Sequence, residues 1–221
     1  MTRGNRARYF PVVAFDLDGT LLPRTTVAVL LTDHFGDATT LEGLERAFVA
    51  GEVSDQEMAD ASAACCAGRT TDQIRTLLDG APWISGVGET VALLKRAGTH
   101  VLIATIGWRF AAELLQQRYG FTAVSGTEFA IRDGVVTGTV SWYFDAHDKL
   151  RFVEGWCAQN GWGLADVAAV GDSRSDLPLF QATGHSVALN ATPDAQRTAT
   201  CAINTEDLRD VLPLLTRDHP A

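Results

Sequence analysis

The run Val12-Val13-Ala14-Phe15 is apolar at every position and is followed by a polar turn around Gly19. A short, bounded, β-rich run of this kind predicts a strand buried on both faces. From Leu22 onward the pattern becomes helical. "VAVLLTDHF" has a helical apolar face, "TTLEGLERAFVAG" opens on a Thr-x-x-Glu cap and stops at Gly51, and "SDQEMADASAACCAG" opens at Ser54 and stops at Gly68. Another helix is predicted from Thr71 to Leu78, and no strong strand candidate comes before about His100. Pro82 and the glycines of "ISGVGE" mark the return to a different layer.

From there strands alternate with helices. Helix Gly88–Ala97 leads to strand "HVLIAT", helix Arg109–Tyr119 to a strand near Thr122–Ser125, and helix Asp148–Asn160 to "DVAAVGD". A short helix around Leu177–Gln181 precedes "HSVAL", and "CAIN" with a helix near Leu208–Leu215 closes the chain. This alternation predicts an α/β fold with a mainly parallel sheet and helical crossovers. "TEFAIRDGVVTGTVSWYF" departs from it: Asp133-Gly134 between two β-rich runs predicts a small antiparallel hairpin flap. The predicted division is a core of residues 1–22 and 83–221, with an all-helical insert at 23–82.

Composition narrows the function. The 221 residues are 46% hydrophobic and 20% charged, which suits a globular chain with a sizeable core. A formal net charge of −9 and the lack of a basic tract argue against a nucleic-acid partner. No apolar run is long enough to span a bilayer, and "MTRGNRARYF" is not followed by a signal-like apolar core, so a cytoplasmic protein without a membrane partner is expected. The four cysteines, Cys65, Cys66, Cys157 and Cys201, lack metal-ligand spacing and are read as reduced.

Four groups of polar residues fall near strand ends or helix starts. They are Asp16-Leu17-Asp18-Gly19-Thr20; Thr105 with Ile106 and Gly107; Lys149 in "KLRFVEGW"; and "VGDSRSD", which contains Asp172 and Asp176. In open α/β sheets the carboxyl ends of strands are where ligands bind. Each group also has a purely structural counterpart: Thr105 as a helix cap, Lys149 as a solvated helix residue, Asp172 and Asp176 as a loop and its cap. Their order and context together favour chemistry.

In that order the chain resembles the haloacid dehalogenase superfamily, and within it the phosphoserine-phosphatase-like group, whose helical cap is inserted between the first two motifs. The resemblance implies a Rossmann-like three-layer core and a magnesium-dependent phosphomonoesterase acting on a small phosphorylated metabolite. Asp16 would be the nucleophile that forms an aspartyl-phosphate, and Asp18 the acid that protonates the leaving alcohol and then activates water. Asp16, the backbone carbonyl of Asp18 and the carboxylate of Asp172 would hold Mg²⁺. Asp176 would hold the metal's waters or orient Lys149, and Lys149 would neutralise the nucleophile and the transferring group. Gly19, Thr20, the Thr105 hydroxyl and the amides of Ile106 and Gly107 would surround the phosphate. The insert would act as a lid, with joints near Leu22–Thr26 and Pro82–Gly88.

The chain departs from that group in specificity. Phosphoserine phosphatases carry a glutamate after the first motif for the substrate ammonium and a cap arginine for its carboxylate; here that stretch is "LLPRTTVAVLL", without an acid. Ile106 stands where glycine is common, and Asp176 where asparagine is often found. Two alternatives remain in view, a phosphotransferase on the same scaffold and a non-catalytic phosphate-binding or interaction module. Asp18 argues against a dehalogenase, which has no use for an acid there.

Overall fold

Strand β1 (Val12–Phe15) lies at the middle of a parallel sheet whose other members are β2 (His100–Ile103), β3 (Ala123–Val124), β6 (Val167–Gly171), β7 (His185–Leu189) and β8 (Cys201–Ile203). The structure is a computed structural model and describes residues 9–36 and 53–217. The strand order is β3-β2-β1-β6-β7-β8. The chain leaves β1 toward β2 and β3, then returns to the opposite side of β1 as β6. That reversal leaves a crevice at the carboxyl ends of β1 and β6, the usual ligand position in an open α/β sheet.

Alternation along the strands builds the layers. Val13 and Phe15 of β1, Val101 and Ile103 of β2 and Ala168 and Val170 of β6 join one buried cluster, while Val12, Ala14, Leu102, Val167 and Ala169 join another. The first is covered by helices α4 (Val87–Arg96) and α5 (Arg109–Tyr119), the second by α6 (Ala146–Gln159), α7 (Leu177–Ala182) and α8 (Pro193–Thr198). Each fully buried Val, Leu, Ile or Phe here contributes about 1.5–3 kcal/mol relative to exposure. The expected three-layer α/β core is therefore present.

Helices α1 (Val27–Phe35), α2 (Asp55–Cys65) and α3 (Thr71–Asp79) lie between β1 and α4. The expected starts hold: Ser54 and Thr70 cap α2 and α3 with reciprocal bonds to Glu57 and Gln73. The helix expected in "TTLEGLERAFVAG" lies outside the described residues. The hairpin joins β4 (Glu128–Arg132) to β5 (Val135–Trp142) through Asp133-Gly134, whose φ values of 50° and 76° suit a tight primed turn. It is tied to the helical insert, because Gly68 and Thr71 donate backbone hydrogen bonds to Val136 and Gly134, each 2.9 Å, and Val136 donates back to Arg69 at 2.9 Å. Leu31 of α1 and Leu78 of α3 belong to the same buried cluster as Phe15, so the insert shares apolar contacts with the sheet.

Three local details go beyond or differ from the sequence expectations. The helix expected at Leu208–Leu215 is of the 3₁₀ type, and Pro213 inside it lacks the amide that a longer α-helical ladder needs. Helix α8 was not expected; Thr192 caps it and Pro193 occupies its first turn, where a missing amide costs nothing. Helix α6 begins at Ala146 instead of Asp148, because Asp145 accepts from the amides of His147 and Asp148 while Asp148 reaches back to the Asp145 amide.

Candidate active site

The sheet register brings the first, second and fourth groups together. Phe15 pairs with Ile103 on one side and Val170 on the other, and the next amides continue the ladder: Asp16 N–H donates to Val170 O at 2.8 Å and Ala104 N–H to Phe15 O at 2.9 Å. Asp16, Thr105 and Asp172 therefore emerge from three adjacent parallel strands onto one edge. Lys149 arrives from α6 with its side chain fully buried, a costly position for a cation unless its donors are matched. They are matched: Nζ lies 2.7 Å from Asp16 Oδ1, 2.6 Å from Asp176 Oδ1 and 3.3 Å from Ser175 Oγ. Burial works against the ammonium, but the carboxylates of Asp16 and Asp176 outweigh it and hold its pKa above the ordinary lysine range.

One lysine serves several acids. Burial holds the Asp16 carboxyl well above the usual range; Lys149 pulls it down, while Asp176 and Asp172 push it further up. Asp172 is pushed up to about 7 by burial and by Asp176. Carboxylate oxygens of Asp16, Asp172 and Asp176 all lie within 4.8 Å of one another. Asp176 is already engaged, accepting from Lys149 and, through Oδ2, from the amides of Asp172 at 2.9 Å and Ser173 at 3.1 Å. Asp16 and Asp172 are left with more negative charge than Lys149 balances. A small hard cation with oxygen ligands fits that imbalance.

Asp18 is held from the insert. Its Oδ1 accepts from the amide of Val27, the first residue of α1, at 2.8 Å. Burial raises its carboxyl to about 6, against the lowering effects of the Val27 amide and Lys149. Gly107 permits the approach of this side chain, since a Cβ there would collide with Asp18 Oδ2. Gly19 has a left-handed φ of 82° and permits the equivalent approach of Asp172.

The remaining predicted residues divide between the chamber and its supports. Thr105, Ile106, Gly107 and Gly19 line a chamber with Asp16, Asp18 and Asp172. The Gly107 amide donates to Thr105 Oγ1 at 2.9 Å, which leaves the hydroxyl proton of Thr105 able to donate elsewhere. Ile106 O accepts from the Thr127 hydroxyl at 2.7 Å, bracing the loop against the base of the hairpin. Thr20 is fully buried and donates to Asp172 Oδ1 at 3.3 Å, so it braces a carboxylate. Arg109 turns to Glu113 and Glu128, whereas Trp108 lines the chamber.

A family model for haloacid dehalogenase-like hydrolases matches residues 13–181. The chain belongs to the haloacid dehalogenase-like hydrolases. Within that family it is phosphoserine-phosphatase-like. The phosphoserine phosphatase of Streptomyces coelicolor is 29% identical over 208 residues, covering 92% of this chain, and that of Albidiferax ferrireducens is 28% identical over 212 residues, covering 93%. The chain spans 50% of the Streptomyces protein and 89% of the Albidiferax protein. The expected enzyme class, a phosphatase of this family, agrees with what these relatives are. Among solved structures, a haloacid dehalogenase family hydrolase from Salmonella enterica serovar Typhi shares the fold at TM-score 0.86 and 19% identity, covering 97% of this chain and 74% of that one. A phosphoserine phosphatase solved as a phospho-aspartyl intermediate analogue matches at TM-score 0.80 and 20% identity, covering 96% of this chain and 100% of that one.

Three participants in this haloacid dehalogenase-like hydrolase were not picked out from the sequence. Ser175 touches Lys149, the Val27 amide holds Asp18, and Ser62 of α2 accepts from Trp108 Nε1 at 3.1 Å. Ser175 was within reach, lying inside "VGDSRSD". The other two contacts carry no local signal, because each joins the insert to a core loop.

Proposed function

We propose that the chain is a magnesium-dependent phosphomonoester hydrolase that works through an aspartyl-phosphate on Asp16. The observation that carries this reading is the placement of the Asp16 carboxylate. It opens on the chamber at the end of the central strand and is held at 2.7 Å by a buried lysine. Lys149 fixes Oδ1 and leaves Oδ2 as the attacking atom. The Thr105 hydroxyl and the Ile106 amide bind phosphate oxygens, while the Gly107 amide acts through Thr105. Asp18, with a carboxyl raised to about 6, gives its proton to the leaving alcohol and then takes one from the attacking water. Asp16 and Asp172 would hold magnesium, together with the Asp18 carbonyl. When bound, the ion supplies charge neutralisation between the carboxylates and the phosphoryl group.

Phosphoryl transfer depends chiefly on positioning and charge stabilisation, and these are what the buried Lys149–Asp16–Asp176 cluster provides. The test is phosphate release from a panel of phosphomonoesters with and without magnesium. Chelation is expected to abolish turnover and magnesium to restore it, with calcium a poor substitute because its coordination is longer and less regular. Full activity in excess chelator would defeat the metal assignment. Adding acceptor alcohols separates hydrolysis from transfer, since a phosphotransferase would yield a new ester.

The helical insert of residues 23–82 serves as a cap that also positions Asp18. Val27→Pro tests this directly. Proline removes the donating amide at a helix position that tolerates it, and Thr26 already has the extended φ of −125° and ψ of 158° that a residue before proline prefers. Turnover of an alkyl phosphate is expected to fall on the order of tenfold, the worth of one hydrogen bond to a charged group. An aryl phosphate with a good leaving group, which needs less protonation, should lose less. Equal losses for both would show that Asp18 does not depend on Val27.

A further inference from the structure

The chamber over Asp16 has a volume of about 560 Å³, more than a phosphoryl group requires and within the usual range of small-molecule sites. Much of it therefore belongs to the leaving group. Its wall on the insert side is made by Ala28 and Val29 of α1 and Met58 and Ala59 of α2, and Trp108 borders it at the start of α5. Met58 and Trp108 are buried. The one polar atom of the indole is spent on Ser62, and the ring stacks on Phe129 at a centroid distance of 3.6 Å.

Of the polar groups that line the chamber, the Thr127 hydroxyl donates to Ile106 O and accepts from the Phe144 amide, and Asn190 exchanges two hydrogen bonds with Thr205, whereas Thr26 accepts from the Val29 amide and, like Thr105, keeps a hydroxyl proton to donate. Among the described residues, the charged groups lining the chamber apart from Asp16, Asp18 and Asp172 are Arg24 and Asp55. Both sit at its exposed rim in ion pairs, Arg24 with Glu206 at 2.9 Å and Asp55 with Arg174 at 3.0 Å. Among the described residues, the apolar wall offers an ammonium or carboxylate no partner for the water it would lose. An alkyl or aryl group there loses nothing and removes apolar surface from water.

We infer that the chamber selects phosphomonoesters of apolar alcohols, alkyl or aryl, over zwitterionic or polyol esters. This rests on the phosphatase reading above and names the substrate class for the same site. The experiment measures kcat/KM for methyl, ethyl, propyl and butyl phosphate, with phosphoserine and glycerol phosphate alongside, using the full chain with magnesium. The rate is expected to rise roughly fourfold per added methylene, the value of burying one CH₂. Phosphoserine and glycerol phosphate should fall below butyl phosphate. Met58→Gln and Val29→Thr place polar atoms in the wall at nearly constant volume, and each should lower the butyl-to-methyl ratio severalfold. That ratio, taken within one variant, does not depend on how much of the preparation is folded. A flat series, an unchanged ratio in both variants, or phosphoserine as the best substrate through Arg24 and Asp55 would overturn the inference while the phosphatase reading stood. Absence of magnesium-dependent release from every ester would take down both.

Discussion

Asp16→Asn is expected to reduce turnover on the order of 10⁴-fold or more while leaving the fold intact, and to leave thermal stability equal or higher. The amide keeps the shape of the carboxylate and can still accept from Lys149, but it is not a nucleophile. The stability expectation follows from charge. Asp16 is 4% exposed, and burial, Asp176 and Asp172 together work against its ionised form more than Lys149 supports it. Neutralising it relieves that repulsion, as often happens when a site built for chemistry is disarmed. Phosphate release and a thermal melt without metal decide the matter. Near wild-type turnover in the purified variant would remove Asp16 from the mechanism; a large loss of stability would show that its charge is structural.

Lys149→Met should have the largest effect on stability. It leaves Asp16 and Asp176 buried without the cation that both contact, and breaking such a cluster from one side costs about 3–5 kcal/mol. Turnover should fall about 10²–10³-fold, the scale for losing one charged stabiliser of a transferring group. Added magnesium should recover part of the stability by neutralising Asp16 and Asp172, but not the rate, because it does not restore the contact with Asp176. Lys149→Arg should not rescue either property, since a planar guanidinium does not fit a fully enclosed site shaped for a compact ammonium. Denaturant unfolding midpoints and phosphate release measure the two effects. An unchanged midpoint would mean that the acids are satisfied without Lys149.

Both variants act on groups far apart in sequence, and this distinguishes what was legible in the chain from what was not. Asp16 and Asp18 were legible because their signal is local: an apolar strand ends, two acids follow, and a glycine turns the chain. The same holds for Thr105 after β2 and Asp172 after β6. Lys149 has no such signal, since its neighbours form an ordinary amphipathic helix. It was found only through the order of the motifs, and its burial became clear when α6 packed against the sheet.

The hairpin shows the same division. Asp133-Gly134 announced the turn, because few residues accept two positive φ angles in succession. Nothing in the turn announced that β5 would bond to residues 68–71 and bind the flap to the helical insert. A lid movement of that insert would have to take the hairpin along or break those bonds.

The α/β alternation, the buried central strand, the positions of the motif carboxylates and the helices α1, α2 and α3 could all be read from the residue pattern alone. Each of these depends on periodicity, turn chemistry or residue type within a short window. It took the packed fold to show that Val27 holds Asp18, that Trp108 spends its donor on Ser62, that Thr20 supports Asp172, and that α1 and α2 give the chamber an apolar wall. These contacts join segments that find each other through packing and through the pairing of buried polar groups, and such partners leave no pattern in either segment alone.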